Sequence, residues 1–374
     1  MSSDFLIMGG GIIGLSIALE LALRGTKVTV ISRNFPQAAA HAAAGMLAPQ
    51  AEQLPPGAMQ ELCFLSRSLY SDWAAKIEHI TGLPTGYWEC GIVAPVYAVP
   101  HQEISPQSLS KDWLDRQAIH QRQPGLSPEV VGGWWYPGDG QVDNRLLVRA
   151  LRSAVQSLGV ILLEGEEVKE LQIENKSLTG VVTSNYELQS DRYILATGAW
   201  SQELLPVPIY PKKGQMLAVQ MPLVTSNSVN LATSNSATYE SAGYLSQVLY
   251  GEDTYIVPRR DGRVIIGATS ENVGFLQGNT PNGILQLLQT AIRLYPPLEA
   301  TTLLEQWWGF RPATRDEMPI LGSSPYPNLT LAVGHYRNGI LLAPATGLLI
   351  ADFLLKSQTP DYWDAFRWER FEIV

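Results

Sequence analysis

Three glycines at the spacing G-x-G-x-x-G, namely Gly9, Gly11 and Gly14, follow directly on the apolar run Phe5-Leu6-Ile7-Met8. A dinucleotide pyrophosphate requires this order of strand, glycine turn and helix. Gly9 permits the tight turn out of the strand, Gly11 lets the backbone approach a pyrophosphate, and Gly14 lets the helix pack closely on the sheet. The N–H groups of the helix start, Ile12 and Ile13 among them, then face the phosphates, where the helix dipole favours negative charge. The chemistry indicated is that of bound FAD or NAD.

The next candidate position departs from the pattern. An Asp or Glu is expected at the end of the second strand to bind the adenosine ribose hydroxyls. Here Val30-Ile31 runs into Ser32-Arg33-Asn34. Ser32 can hydrogen-bond a hydroxyl, but more weakly than a carboxylate. Arg33 suits the 2′-phosphate of NADP, so this unit alone leaves the cofactor open.

The elements that must position these residues are legible around them. Phe5–Met8 reads as a buried strand, and Leu15–Arg24 carries apolar residues at helical spacing and stops at Gly25. Lys27–Ile31 reads as the second strand. Together they make a βαβ unit of about 30 residues. The alternative, a glycine-rich turn in another α/β protein, lacks this context.

Composition narrows the function classes. The chain has 374 residues, 45% hydrophobic and 16% charged, which describes a globular protein with room for two domains. Its net charge of −9 argues against a nucleic-acid partner, which needs a basic footprint. Cys63 and Cys90 form no C-x-x-C pair, and His41, His79, His101, His120 and His335 show no metal-ligand spacing. No disulfide and no metal are expected. The chain opens on a strand without a basic region before an apolar core, and no apolar run reaches about 18 residues. The expectation is a cytoplasmic protein with no signal peptide and no membrane span.

Further along, Ala38–Pro49 is dense in small residues, which let a backbone lie close to a flat ligand. Met59–Ile80 and Val142–Leu158 read as helices, Val160–Leu163 and Asp191–Ala196 as strands, and Leu178–Leu188 as a hairpin. Met216–Gln220, Tyr255–Val257 and Val264–Ile266 are candidate strands, the last two joined by a turn at Arg260–Arg263. Thr225–Gly243, rich in Ser, Asn and Thr, is expected to be a long exposed loop over a site. Ile284–Tyr295 reads as a helix, Leu329–Val333 as a strand, and Gly347–Leu355 as part of a closing helix that starts near Thr346-Gly347. The fold class expected is α/β (α+β): a Rossmann-like cofactor domain from 1–85, 137–210 and 312–374, and a β-rich substrate domain from 86–136 and 211–311. Such a discontinuous layout puts a site in the cleft between them.

The chain resembles the FAD-dependent amino-acid oxidases of the D-amino-acid oxidase family, and within it looks most like the glycine oxidases of thiamine biosynthesis. The resemblance runs along essentially the whole chain. It is carried by Gly9–Gly14, by Ala42–Glu52 (Ala-Ala-Ala-Gly-Met-Leu-Ala-Pro-Gln-Ala-Glu), by Ala196-Thr197-Gly198-Ala199-Trp200-Ser201 and by Lys213-Gly214-Gln215-Met216. Tyr255–Arg259, Ile266–Thr269, Trp308–Pro312 and Gly334–Ile340 (Gly-His-Tyr-Arg-Asn-Gly-Ile) complete it.

The resemblance implies noncovalent FAD, because the stretch 307–314 lacks the cysteine of the flavinylated sarcosine oxidases. It assigns Ala43, Ala44, Gly45 and Met46 to the flavin ring, and the backbone of Val168 to the adenine. Thr197, Gly198 and Trp200 join the cofactor site, as do His335, Tyr336, Arg337, Asn338, Gly339 and Ile340. The turn from Gly334 would feed a helix N-terminus that stabilises charge on the ring. For substrate, Arg311 is the carboxylate clamp, since a guanidinium binds two oxygens in fixed geometry. Tyr255 adds a hydroxyl and the Arg337 carbonyl receives the amine, with no side-chain base assigned. Ser270 stands where some relatives carry a bulky residue, which leaves glycine, sarcosine and small D-amino acids open as substrates. The implied reaction is oxidative deamination with oxygen as acceptor, giving an imino acid and peroxide. A homo-oligomer and a thiazole-synthesis partner for the glycine imine are implied as well. The rivals are a flavin dehydrogenase passing electrons to a quinone or protein, a non-catalytic docking module, and an NADP-dependent reductase suggested by Arg33 alone.

Overall fold

The opening strand Ser3–Met8 is apolar on both faces and buries both. Phe5 and Ile7 enter one core and Leu6 and Met8 another, as expected for a central parallel strand. It sits inside a six-stranded sheet in the order Ile320–Ser323, Leu329–Val333, Ser190–Leu195, Ser3–Met8, Val28–Ser32, Ile161–Glu164. All neighbours are parallel except the first pair. The computed structural model describes residues 3–99, 113–222 and 245–371. The loop expected at Thr225–Gly243 lies outside the described residues.

Helices Ile12–Leu23, Ala58–Thr81, Asn144–Ser157 and Gly339–Lys356 pack on one another and on one face of this sheet. A three-stranded sheet, Val168–Glu174, Ser177–Thr183 and Glu187–Leu188, covers the other face with Leu171, Leu178 and Val181. The eight-stranded sheet runs Thr302–Ala313, Tyr210–Gln220, Arg263–Gly267, Tyr255–Pro258, Val248–Tyr250, Ile92–Val96, Gly132–Tyr136, Trp113–Asp115. Its pairs are antiparallel apart from Val248–Tyr250 with Ile92–Val96. Helix Pro281–Leu294, capped by the Thr280 side chain, closes one face of it through Leu287, Ala291 and Leu294.

The closing helix corrects the sequence reading. It begins at Gly339, not near Thr346-Gly347. Pro344 lies inside it and removes one backbone donor. The orphaned Ile340 carbonyl instead accepts from the Tyr70 hydroxyl at 3.0 Å. Ser66 donates to the Leu341 carbonyl at 2.6 Å and accepts the Ala345 N–H at 3.2 Å. Two side chains of Ala58–Thr81 thus mend a helix that proline would break. Gly347 marks a crossing, not a cap: a Cβ there would stand 2.8 Å from the Ser16 carbonyl oxygen of Ile12–Leu23. Gly339–Lys356 is the one described helix long and apolar enough to cross a membrane, and it is mostly buried among these helices.

The glycine turn is built as its spacing requires. Gly9 has φ +114°, and an added Cβ at Gly14 would lie 2.0 Å from the Gly9 carbonyl oxygen. An added Cβ at Gly11 would meet only Ala38, at 3.8 Å. The first and third glycines therefore serve packing, while the second faces open space. Gly14→Ala is expected to lower unfolding stability by about 2 kcal/mol, within the range for overpacking a close contact. Urea unfolding of the cofactor-free protein measures this, and a variant as stable as its parent would contradict the packing role.

Candidate active site

One cavity of about 360 Å³ collects residues that the chain scatters between positions 9 and 340. Gly9, Gly11, Ile12, Ile13, Ser32, Arg33, Ala43, Ala44, Gly45, Met46 and Val168 line it. Thr197, Gly198, Trp200, Tyr255, Ser270, Arg311, His335, Tyr336, Arg337, Gly339 and Ile340 do so as well. Two residues expected at the cofactor do not. Gly14 is turned onto the opening strand. Asn338 caps the closing helix: its carbonyl accepts the Leu342 N–H at 2.8 Å and its N–H bonds the His335 carbonyl at 2.9 Å.

Two helix starts face this cavity, Ile12-Ile13 and Gly339-Ile340. Each offers unpaired backbone N–H groups and a positive dipole end to an anion. Gly11 leaves room at the first. The donor set and the flat wall of small residues fit a flavin dinucleotide. Arg33 is engaged in a way that does not suit a 2′-phosphate. Its guanidinium pairs with Glu167 at 2.9 Å, stands 3.8 Å from Glu203, and lies 5.1 Å over the Trp200 ring.

The small-residue run folds as a single helical turn, Ala39–Ala42, followed by extended chain. Gly45 has φ +80°, and a Cβ there would strike the Val142 carbonyl oxygen at 2.0 Å. The Val142 N–H bonds the Gly45 carbonyl at 2.8 Å. Asn144 donates to the Ala40 and His41 carbonyls at 2.7 and 3.2 Å. Arg259, buried, donates to the Ala44 carbonyl at 2.7 Å and to Asn144 Oδ1 at 3.2 Å. Its guanidinium also bonds Gln141 and stands 3.6 Å from the Asp143 carboxylate.

Arg311 and Tyr255 meet in the same cavity. Arg311 lies on the edge strand Thr302–Ala313, beside Tyr210–Gln220. A Cβ at Gly214 would come within 2.5–2.7 Å of its guanidinium, so only glycine lets that side chain lie across the strand. Gly267 gives Tyr255 the same freedom, since a Cβ there would stand 2.7 Å from the phenol oxygen. The Thr269 carbonyl accepts from Arg311 Nη1 at 3.1 Å. A strap holds Thr269 in turn. Its N–H bonds the Gln215 carbonyl at 3.2 Å and its hydroxyl accepts the Gln215 N–H at 2.9 Å. Glu271 bonds the Thr269 hydroxyl and accepts from Gln215 Nε2 at 2.7 Å. Lys213, wholly buried, places its ammonium 3.7 Å from Glu271. Burial raises the Tyr255 pKa, while the Arg311 charge pulls it back. The phenol stays a donor at neutral pH.

The turn before the closing helix carries Tyr336 at φ +46°, held by its N–H to the Pro312 carbonyl at 2.9 Å. His335 is buried and meets the Thr346 hydroxyl at 3.1 Å. Burial pushes its pKa down to about 3, so the ring is neutral. Glu52, also on the cavity wall, has its Oε2 buried without a hydrogen-bond partner. Burial raises its pKa, against the pull of the Arg337 guanidinium and the Asn338 side chain.

Glu52, Gly214, Thr269 and Arg259 carry no role in the sequence reading, although each stands within a stretch that carries the resemblance. Gly214 was findable: a glycine flanked by Lys213 and Gln215 inside a strand signals a close approach. Arg259 was not, because its partners lie more than a hundred positions away.

Residues 4–353 match the model of the family described as FAD dependent oxidoreductase. The bifunctional protein ThiO/ThiG of Trichormus variabilis is 54% identical over all of this chain and 56% of its own length. The chain thus spans about half the length of that relative. The glycine oxidase of Geobacillus kaustophilus is 32% identical over 95% of this chain and 94% of its own. The crystal structure of glycine oxidase from the same organism superimposes with a TM-score of 0.86, covering 100% of this chain and 98% of that one at 30% identity.

The neutral His335 gives a pH signature. Folding lowers its pKa from 6.5 to about 3. Between those values the unfolded chain binds a proton that the folded chain does not. The stability from the neutral ring is therefore complete above pH 6.5 and is lost as pH falls toward 3. His335→Gln removes this dependence. The stability gap between wild type and variant, from urea unfolding, is expected to narrow by on the order of 1–2 kcal/mol from about pH 7 to pH 5. A gap that stays constant would mean that His335 titrates normally.

Proposed function

The chain belongs to the FAD dependent oxidoreductase family, and from that premise we propose that it oxidises glycine and other small amino acids with oxygen as the electron acceptor. The observation that carries the reading is the junction of Arg311 and Tyr255 in the same cavity as the dinucleotide loop. A carboxylate bound there is held in a fixed orientation beside the wall assigned to the flavin ring. The names of the relatives, ThiO/ThiG and glycine oxidase, point to the same substrate.

When bound, FAD would supply the hydride acceptor for the substrate α-carbon and the two-electron reduction of oxygen to peroxide, so that the amino acid would leave as imine. The chain's own residues hold and orient. Arg311 offers parallel N–H donors to the substrate carboxylate, and Tyr255 adds its hydroxyl. The carbonyl of Arg337 accepts from the substrate amine, which binds neutral. The N-terminus of Gly339–Lys356 faces the cavity with unpaired N–H groups and favours negative charge at the ring. Water then hydrolyses released glycine imine to glyoxylate and ammonia. The bifunctional name of the relative of about twice this length supports a thiazole-forming enzyme as consumer of the imine. The reading places the enzyme in the cytoplasm, where the unpaired Cys63 and Cys90 stay reduced, and in an assembly of like chains, as the resemblance implies.

Peroxide release in air by the flavin-loaded protein, with glycine, sarcosine, D-alanine and D-proline side by side, tests the reading. Peroxide with glycine among the leading substrates is the expected result. Bleaching of the flavin without peroxide would replace oxygen by another acceptor, and no bleaching would overturn the substrate class. Arg311→Ala is expected to lower kcat/KM for glycine by about 30-fold or more, the loss typical of removing one partner of a charge-paired contact. Unchanged kinetics would mean that Arg311 does not hold the substrate carboxylate.

A further inference from the structure

The adenosine end of the cavity lacks the carboxylate that its architecture calls for at position 32. We propose that Glu167, on the loop after the neighbouring strand, supplies it and accepts the adenosine ribose hydroxyls. The proposal rests on the dinucleotide being FAD.

Strand Val28–Ser32 runs parallel to Ile161–Glu164, with Ser32 paired to Glu164. The segments leaving the two strands therefore emerge side by side at the carboxyl edge of the sheet. That edge is where an open α/β sheet binds its ligand. A carboxylate one strand over can thus reach the place that an acidic residue at position 32 would occupy. Ser32 itself is buried and lines the cavity.

Three carboxylates follow that strand end, and their partners separate them. Glu164 does not line the cavity and is paired with Arg152. Glu166 lines it but is used up by the fold, because its two oxygens accept from Thr183 Oγ1 at 2.9 Å and Asn185 Nδ2 at 2.6 Å. Those bonds anchor the loop that carries Glu167. Glu167 lines the cavity with Ser32, Arg33 and Val168. Its oxygens meet Arg33 at 2.9 Å and Lys169, both at the surface, and each keeps a free lone pair. Glu203, the remaining carboxylate on this rim, stands farther off at 3.8 Å from Arg33 and is more than half exposed. The Lys169 and Arg33 charges hold the Glu167 carboxyl below the usual carboxylate range, so it is ionised at neutral pH. An ionised carboxylate accepts hydroxyl donors more strongly than Ser32 can.

The same geometry gives Arg33 its task. It is a brace between Glu167 and the Trp200 ring, and it aims a carboxylate at the ribose edge. A rim with Glu167 and Glu203 around one arginine repels a 2′-phosphate.

Titration of the apoprotein, followed by flavin fluorescence, tests the assignment without reference to turnover. Glu167→Gln keeps the shape and removes the charge. It is expected to weaken FAD binding about tenfold or more, the scale of a charged hydrogen bond, while FMN, which has no adenosine, binds as to wild type. An FAD analogue with a 2′-deoxyadenosine should bind wild type more weakly than FAD does, yet lose little further on Glu167→Gln. Adding Ser32→Glu to that variant should restore FAD affinity. Equal FAD affinity in wild type and Glu167→Gln, or an equal loss for FAD and FMN, would overturn the proposal. Wild-type apoprotein that takes up FMN but gains nothing from the adenosine half would overturn it too, whereas failure to take up either flavin would sink the cofactor assignment beneath it.

Discussion

The buried guanidinium of Arg259 is the contact on which the rest of the site depends. A charge taken out of water is costly unless its donors are satisfied. Here they reach the Ala44 carbonyl, Asn144, Gln141 and the Asp143 carboxylate. Burial lowers its pKa to about 10, which leaves it charged at neutral pH. Asp143 meanwhile caps helix Asn144–Ser157 through the N–H groups of Arg145 and Leu146, at 3.0 and 3.1 Å. One cluster therefore ties the eight-stranded sheet to a helix on the six-stranded sheet and to the small-residue wall between them. Tyr255 is four positions before Arg259, on the strand Tyr255–Pro258 that runs directly into it. The Ala43–Met46 wall is thus tied through one buried arginine to the strand that carries Tyr255.

Positive groups converge locally within a cavity whose lining also holds Glu52, Glu166, Glu167, Glu203, Glu252 and Asp253. The net charge is −9, yet the cavity receives two helix N-termini, Arg311 and the Arg337 backbone turn. On the proposed reading, these donors stand where anions belong: a pyrophosphate, a reduced ring, a substrate carboxylate. Low-dielectric walls strengthen such local fields, while surface charge is screened within about 10 Å at ordinary ionic strength. The neutral His335 fits this balance. A protonated ring beneath the last turn would add a charge without a partner, and burial prevents it.

Local patterns were readable wherever neighbours in the chain are also neighbours in space. The first βαβ unit was of this kind, as were the hairpin around Arg260–Arg263 and the capped helices. The closing helix was misplaced because Pro344 is a breaker by its own chemistry, and only Tyr70 and Ser66, some 270 positions earlier, repair it. The edge strand Thr302–Ala313 was passed over as a strand. Leu303, Leu304 and Trp308 stay exposed on it, so no clean alternation marks a buried face. Arg311 and Tyr255 were named through the resemblance. Most of their surroundings are not legible in this way, since Gly267 and Thr269 acquire meaning only once neighbouring strands are laid side by side.

The strap behind Arg311 limits where selectivity can reside. Lys213, Glu271 and Gln215 fix Thr269, and the Thr269 carbonyl fixes the guanidinium. Gly214 leaves room for that course of the side chain across the strand. On the proposed reading, a guanidinium held this firmly would bind every α-amino carboxylate in the same way, lowering the entropic cost of binding without distinguishing one substrate from another. Discrimination among glycine, sarcosine and small D-amino acids would then fall to other cavity walls, which Met46, Tyr250 and Ser270 line. One methylene against an apolar wall is worth only about 1–3 kcal/mol. Ser270 replaces apolar surface there with a hydroxyl, which weakens even that sieve. On the proposed reading, a rigid anchor facing a permissive wall would suit small amino acids as a class, with glycine the member that meets the wall least.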